Sequence, residues 1–238
     1  MMTGSSRILT RLLVPVMALF MVLQLTGCGD NEADQRKAFI DFLQNTVMRS
    51  GEHLPSLSED QKQKFGPFVS DYAILYGFSQ QVNRAVDSGL KPVVDELSAI
   101  HTPQDYLTRR DALRQVSGSL GVLTQQIQSA KMQADSSKAA LKQPEDLKTV
   151  YDNVFNKVVT QPAATLAPLL PALQTLSQDA VQTGDFLQQQ GANVSFNGSA
   201  IQFPTQPQAT QYNTLMSNLS TNAQALTQAQ AALKGNFQ

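Results

Sequence analysis

Apolar residues return at threes, fours and sevens along almost all of the chain from residue 39 onward, the period of helices with one buried face. Phe39, Ile40, Phe42, Leu43 and Val47 make a broad apolar face that closes near Gly51. Ser58-Glu-Asp-Gln61 has the form of a capping box. The pattern after it carries Phe65, Phe68, Tyr72, Leu75, Val82 and Val86 as far as Gly89, and a short helix follows from about Pro92 to Ile100. Thr102-Pro103-Gln-Asp105 predicts the next start, with a hydroxyl cap, a proline in the first turn and an acid near the positive end. From there Tyr106, Leu113, Leu120, Ile127, Ala134 and Leu141 fall seven apart, with Val116, Leu123 and Ala130 at the companion position. A continuous helix over 103–141 would be a rod of about 58 Å at 1.5 Å per residue. Gly118 and Gly121 are the places where it would kink.

Gln143-Pro144-Glu145-Asp146 restarts the pattern, with Leu147, Val150, Tyr151, Val154 and Val158 as its apolar face. Pro162 is expected to begin another segment, in which Pro168 and Pro171 predict a kink or a late start. Alternation appears once, in "NVSFNGSAIQF", residues 193–203. Val194, Phe196, Ile201 and Phe203 flank Asn197-Gly198, a pair that favours a type I′ turn. A closing helix from Thr205 to about Leu233 places Tyr212, Leu219, Leu226 and Leu233 seven apart, with Ala209, Met216 and Ala223 beside them. The expected fold is all-α, a bundle of long coiled-coil-like helices carrying one small β-hairpin.

The first thirty residues follow a different logic. Arg7 and Arg11 precede an apolar run from Leu12 to Leu25. That run is shorter than the roughly twenty residues a membrane span needs, and it reads as a secretory signal peptide. Leu25-Thr26-Gly27-Cys28 resembles the lipobox of bacterial lipoproteins, in which the cysteine thiol takes a diacylglyceryl group and cleavage frees an α-amine that is acylated in turn. Two or more acyl chains suffice for stable attachment. Cys28 is therefore the expected lipidation site and the membrane its first partner. The domain reading is a signal peptide at 1–27, a short acidic tether at 28–34 and a single helical domain at 35–238. Six extended residues span at most about 20 Å, so the body is expected close to the bilayer. In Gram-negative lipoproteins an aspartate directly after the cysteine retains the protein at the inner membrane. Gly29 stands there, which implies the outer membrane, with the body facing the periplasm.

Cys28 is the only cysteine of the 238 residues, which rules out an internal disulfide and a cysteine-based zinc site. Without residues 1–27 the chain has a net charge near −3, since Arg7 and Arg11 leave with the leader, so it carries no cationic footprint for nucleic acid. Glutamine is enriched, at twenty-nine residues, and it alternates with Leu and Ala at helical spacing, as on polar helix faces. His53 and His101 are the only imidazoles and lack local ligand spacing, so no metal or cofactor is expected. Asp95-Glu96 and Glu145-Asp146 are adjacent acids, the second pair at a helix start where it serves the dipole. No phosphate loop and no nucleophile elbow is present, and no catalytic residue is assigned.

Two stretches could bind something. The hairpin residues Val194, Phe196, Ile201 and Phe203 could meet a protein partner through exposed strand edges, or the hairpin could simply cap the bundle. Phe65, Phe68, Tyr72 and Tyr76 could line an apolar pocket between helices, or could be plain core. "DQRKAFIDFLQNTVMRSGE", "FGPFVSDYAILYGFSQQVN" and "SFNGSAIQFP" together resemble the YiaF-like lipoproteins of enteric bacteria, over essentially the whole mature chain. That resemblance implies a domain of unknown function and no active site to carry over. The leading expectation is a non-enzymatic, outer-membrane-anchored protein that docks or organises an envelope protein partner. A carrier or sensor of an apolar molecule is the alternative, and an enzyme acting on envelope polymers the third. Whether the heptad seams are internal or join chains is open at this point.

Overall fold

The computed structural model describes residues 27–51 and 53–236. Residues 1–26 of the expected signal peptide, with Leu25 and Thr26 of the lipobox-like stretch, lie outside the described ones, as does the side chain of Cys28. Among the described residues no helix is long and apolar enough to cross a membrane.

The chain is a helical bundle with one antiparallel hairpin. Helix α1 spans Gly27–Asn45, so the acidic stretch after Cys28 is helical and not the extended tether expected from its composition. At 1.5 Å per residue it reaches less than half as far as an extended strand. Helix α2, Glu59–Phe65, begins on the capping box the sequence predicts. Gln61 N–H donates to Ser58 Oγ at 3.2 Å and Ser58 N–H donates to Gln61 Oε1 at 2.9 Å.

Helix α3, Val69–Ala85, passes through a π turn at Val86–Leu90 directly into α4, Lys91–Ser98. The same device recurs where α7, Glu145–Phe155, passes through a π turn at Asn156–Thr160 into α8, Gln161–Gln190. The expected boundary at Pro162 is thus no boundary; 145–190 is one uninterrupted helical run. In both places the proline is the second residue after the turn. A proline ring collides with the carbonyl four residues back and offers no N–H. The π turn moves the ladder to a five-residue step, with Lys91 N–H donating to the Val86 carbonyl and Gln161 N–H to the Asn156 carbonyl. The chain then continues with its apolar face rotated by about 100°. Pro168 and Pro171 lie inside α8 without ending it. Both are exposed, as are Ala164 and Ala167, whose carbonyls lose their helical donors, so water can satisfy them.

The rod expected over 103–141 is divided, though not at its glycines. Helix α5, Pro103–Thr108, ends at Arg109, and α6, Arg110–Ala139, runs on through Gly118 and Gly121. On α6 the seam residues Leu113, Leu120, Ile127 and Ala134 are buried, with Leu123 and Ala130. This helix packs against α8 on one side and α3 on the other, so its seam is filled within the chain. The closing helix is likewise divided, into α9, Gln206–Asn222, and α10, Gln224–Asn236. Ala223 forms the turn between them, its N–H donating to the Ser220 carbonyl at 3.4 Å.

Helix α1 runs parallel to α7. Arg36 pairs with Asp146 at 3.1 Å, and some three turns later on both helices Lys157 Nζ donates to the Met48 carbonyl just beyond α7. The N-terminal end of α1 therefore lies at the start of the 145–190 run. The hairpin, which follows Gln190, lies at its finish.

Strands β1, Ser195–Asn197, and β2, Ala200–Gln202, pair with Phe196 opposite Ile201. The two loop residues are Gly198 and Ser199, not Asn197 and Gly198. Gly198 has φ +59° and, among the described residues, no non-glycine residue has positive φ, so the connection is of the II′ kind with glycine first, and the type I′ expectation is corrected.

Candidate functional site

The stretch expected to line a pocket is solid core. Phe65, Phe68 and Tyr72 are buried against rings from α1. Phe42 sits 5.0 Å from Phe65 and 5.2 Å from Tyr72, and Phe39 stacks on Phe68 at 5.9 Å. Tyr76 is half-buried, 6.0 Å from Tyr72. The Tyr72 hydroxyl donates to the Pro55 carbonyl at 2.5 Å, and burial raises its pKa, so it stays a donor. Aromatic side chains at helical spacing here fill the space themselves and leave none for a ligand.

The hairpin's apolar side chains also turn inward. Val194 is buried and Phe196, Ile201 and Phe203 are half-buried, packed against Phe186, Leu187 and Tyr212. Phe203 lies 5.8 Å from Phe186 and 5.3 Å from Tyr212. The outward face carries Ser195, Asn197, Ala200 and Gln202, all exposed. What the hairpin offers outward is polar side chains and two short strand edges.

The concave feature of this end lies between the two hydrophobic clusters of the molecule. Tyr106 and Met216 pack against both the main core and the hairpin cluster. Between them opens a cavity of about 270 Å³, floored by Leu176 and Ala180 of α8 and walled by Leu97, Tyr106, Met216 and Leu219. Ser220, Ala223 and Leu226 form its other margin, so the turn at Ala223 sits on its rim. The heptad register of the closing helix would have carried Leu226 and Leu233 inward. Past the turn the buried positions are instead Ala225, Ala229 and Ala232, and the two leucines are half-buried.

Tyr106 reaches the cavity wall because α5 lies directly on α8. A Cβ built on Gly184 would fall well inside contact of the Tyr106 carbonyl oxygen and 3.0 Å from Arg110 Cβ. Asp105 holds the start of α5, accepting from Thr102 N–H at 2.7 Å and His101 N–H at 2.9 Å. Those backbone donors, first that of His101, keep its carboxyl below the usual carboxylate range. Burial raises the pKa of Tyr106, and that of Tyr212 is pushed up to about 12 by burial and by Tyr106. Both hydroxyls remain protonated at neutral pH. A second groove, of about 220 Å³, lies between α3 and α6, bordered by Gly77, Gln81, Ala130 and Gln133.

The remaining polar groups serve the fold. Asp71 is buried and accepts from Gln143 Nε2 at 2.6 Å, while the Tyr151 hydroxyl donates to its backbone carbonyl at 2.8 Å. Sequence periodicity placed Tyr151 on an apolar face but had no signal for Asp71, which occupies a helix position between exposed and buried rows. His53 Nδ1 lies 3.1 Å from Asn83 Nδ2, and the His101 side chain is exposed. Among the described residues no three His, Cys, Asp or Glu side chains gather as a metal site would require.

Residues 16–234 match the family model described as a protein of unknown function, DUF3053. The chain belongs to the DUF3053 family. It is 60% identical over 229 residues to the protein called "Uncharacterized protein YiaF" in Escherichia coli strain K12, covering 96% of each chain. The Shigella flexneri protein of the same name matches to the same extent. No solved structure matches. The family match spans the helical bundle, the hairpin and the cavity alike, so the site described above belongs to the DUF3053 fold as a whole and not to an appended segment.

Proposed function

We propose that this DUF3053 protein is a non-enzymatic envelope lipoprotein, held in the outer membrane by acyl groups on Cys28, that presents the hairpin end of its bundle to a protein partner in the periplasm. The parallel run of α1 along α7 carries this reading. It sets the cysteine end and the hairpin at opposite ends of one helical run, so an anchored base leaves the tip exposed at the far end. The lipobox-like Leu25 to Cys28 and the glycine at position 29 support the anchor and its destination. Charged groups near the tip are engaged with one another: Asp185 accepts from Arg114 at 2.5 Å and lies 3.6 Å from Arg110. This suits a docking surface better than a reaction centre.

Membrane fractionation tests the anchor. Wild type should float with outer membranes, Gly29→Asp should move to inner membranes, and Cys28→Ala should lose acylation. A photoreactive residue at Asn197 should then crosslink a discrete protein in cells, while one at Lys62, near the base, should not. Equal labelling from both positions, or fractionation unchanged by Cys28→Ala, would overturn the reading.

A further inference from the structure

We infer that the cavity between the two hydrophobic clusters is a binding site for a neutral, mostly apolar small molecule carrying a single hydrogen-bonding group. This goes beyond docking at the tip and does not depend on the anchor. The floor is apolar and buried, with Leu176 and Leu219 4% and 6% exposed and Ala180 fully enclosed. No side chain that lines the space is charged; among the lining residues Tyr106 and Ser220 carry hydroxyls. An anion or cation entering it would lose hydration without a compensating charge. A neutral molecule would bury its apolar body and keep one hydrogen bond.

The volume, about 270 Å³, is below that of typical drug-sized pockets and nearly twice that of an engineered cavity of roughly 150 Å³ that takes benzene. The ligand is therefore about the size of a fused pair of rings or a short single chain. The space is also built into the fold and is not a packing accident of one rotamer. Its wall depends on Gly184, which lets α5 bring Tyr106 against α8, and its rim on the turn at Ala223, beyond which Leu226 stands half-buried at the margin.

The methionines supply a readout. Met216 lines the cavity, Met48 lies beside Lys157, remote from the cavity along the run, and Met132 is 63% exposed on α6. The full chain, purified as the cell makes it and labelled at its methionine methyls, is titrated with 1-naphthol, naphthalene and 1-naphthoate. The expected result is a saturable shift of the Met216 methyl with 1-naphthol, with Met48 and Met132 unmoved, and at least tenfold weaker binding of the anionic naphthoate. Tyr106→Phe should weaken 1-naphthol about three- to tenfold, the worth of one hydrogen bond, and leave naphthalene unchanged. Ser220→Phe, at the exposed rim, should abolish the shift with the thermal midpoint preserved. No Met216 shift up to the solubility limit, equal shifts at all three methyls, naphthoate binding as tight as naphthol, or an equal loss of naphthol and naphthalene in Tyr106→Phe would each overturn the inference.

Discussion

The same substitution, glycine to alanine within a helix, should have opposite signs at two places in this chain. At Gly118 and Gly121 an added Cβ meets nothing within 4 Å. Alanine there should stabilise by up to about 1 kcal/mol each, from helix propensity alone. At Gly184 the added methyl meets the backbone carbonyl of Tyr106 and the Cβ and Cγ of Arg110 at 3.0 Å. A side chain could turn aside, but a carbonyl moves only if α5 moves, and α5 is fixed by its Asp105 cap and by the wall it forms. Overpacking of this kind costs about 1–3 kcal/mol. Subtracting the propensity gain of about 1 kcal/mol leaves a net loss of up to about 2 kcal/mol. In a chain of this size that lowers the thermal midpoint by up to roughly 8 °C. Thermal and urea unfolding followed by circular dichroism measure all three variants. If Gly184→Ala gains stability as Gly118→Ala and Gly121→Ala do, then α5 does not rest on α8 as described.

Ser177 is buried on α8 with no partner for its hydroxyl. Ser177→Ala should therefore raise stability, by about 1 kcal/mol in urea unfolding, since an unsatisfied hydroxyl is removed without leaving a void. Asp105→Ala should lower the thermal midpoint at pH 7 by releasing the N–H groups of His101 and Thr102. Because the folded carboxyl lies below its ordinary value near 4, the difference from wild type should be full above that pH and vanish as pH falls through the lowered value. Deleting exposed Ser88 removes the extra residue of the first π turn and rotates buried Val93, Val94 and Leu97 by about 100°. That deletion should cost several kcal/mol in denaturant unfolding, on the order of two exposed leucines, whereas Pro92→Ala should cost little.

Periodicity located the faces well and the boundaries poorly, for identifiable reasons. Leu113, Leu120 and Ile127 were legible as one seam because α6 is straight and its partners are long helices. Pro162 read as a start because a proline inside a helix is ordinarily excluded; nothing in the spacing of apolar residues reports that a π turn has absorbed the conflict. Arg109 is a break without glycine or proline, set by the contact of α5 with Gly184 some seventy-five residues away in the chain. The hairpin was visible from alternation, yet its turn slipped by one residue because Gly198 satisfies either position of a two-residue loop that needs positive φ. Phe65, Phe68 and Tyr72 were legible as apolar, but whether rings fill or line a space depends on what faces them, and Phe39 and Phe42 are supplied by another helix.

The break at Ala223 lies on the rim of the cavity, and the short helix that ends at Arg109 supplies Tyr106 to its wall. Had the closing helix stayed continuous, Leu226 and Leu233 would have extended the seam of Tyr212 and Leu219 onto α8, and four-carbon side chains would have occupied the region now faced by Ala225, Ala229 and Ala232. Had α5 continued into α6 without its turn, Tyr106 would not have been brought against Gly184 at the wall. Each break forgoes regular packing, and buried apolar packing is the main source of stability in a chain with no disulfide. A local departure from otherwise consistent patterning is what a functional site looks like at the level of sequence. Two departures that meet at one apolar space argue that the space is kept open for something to enter.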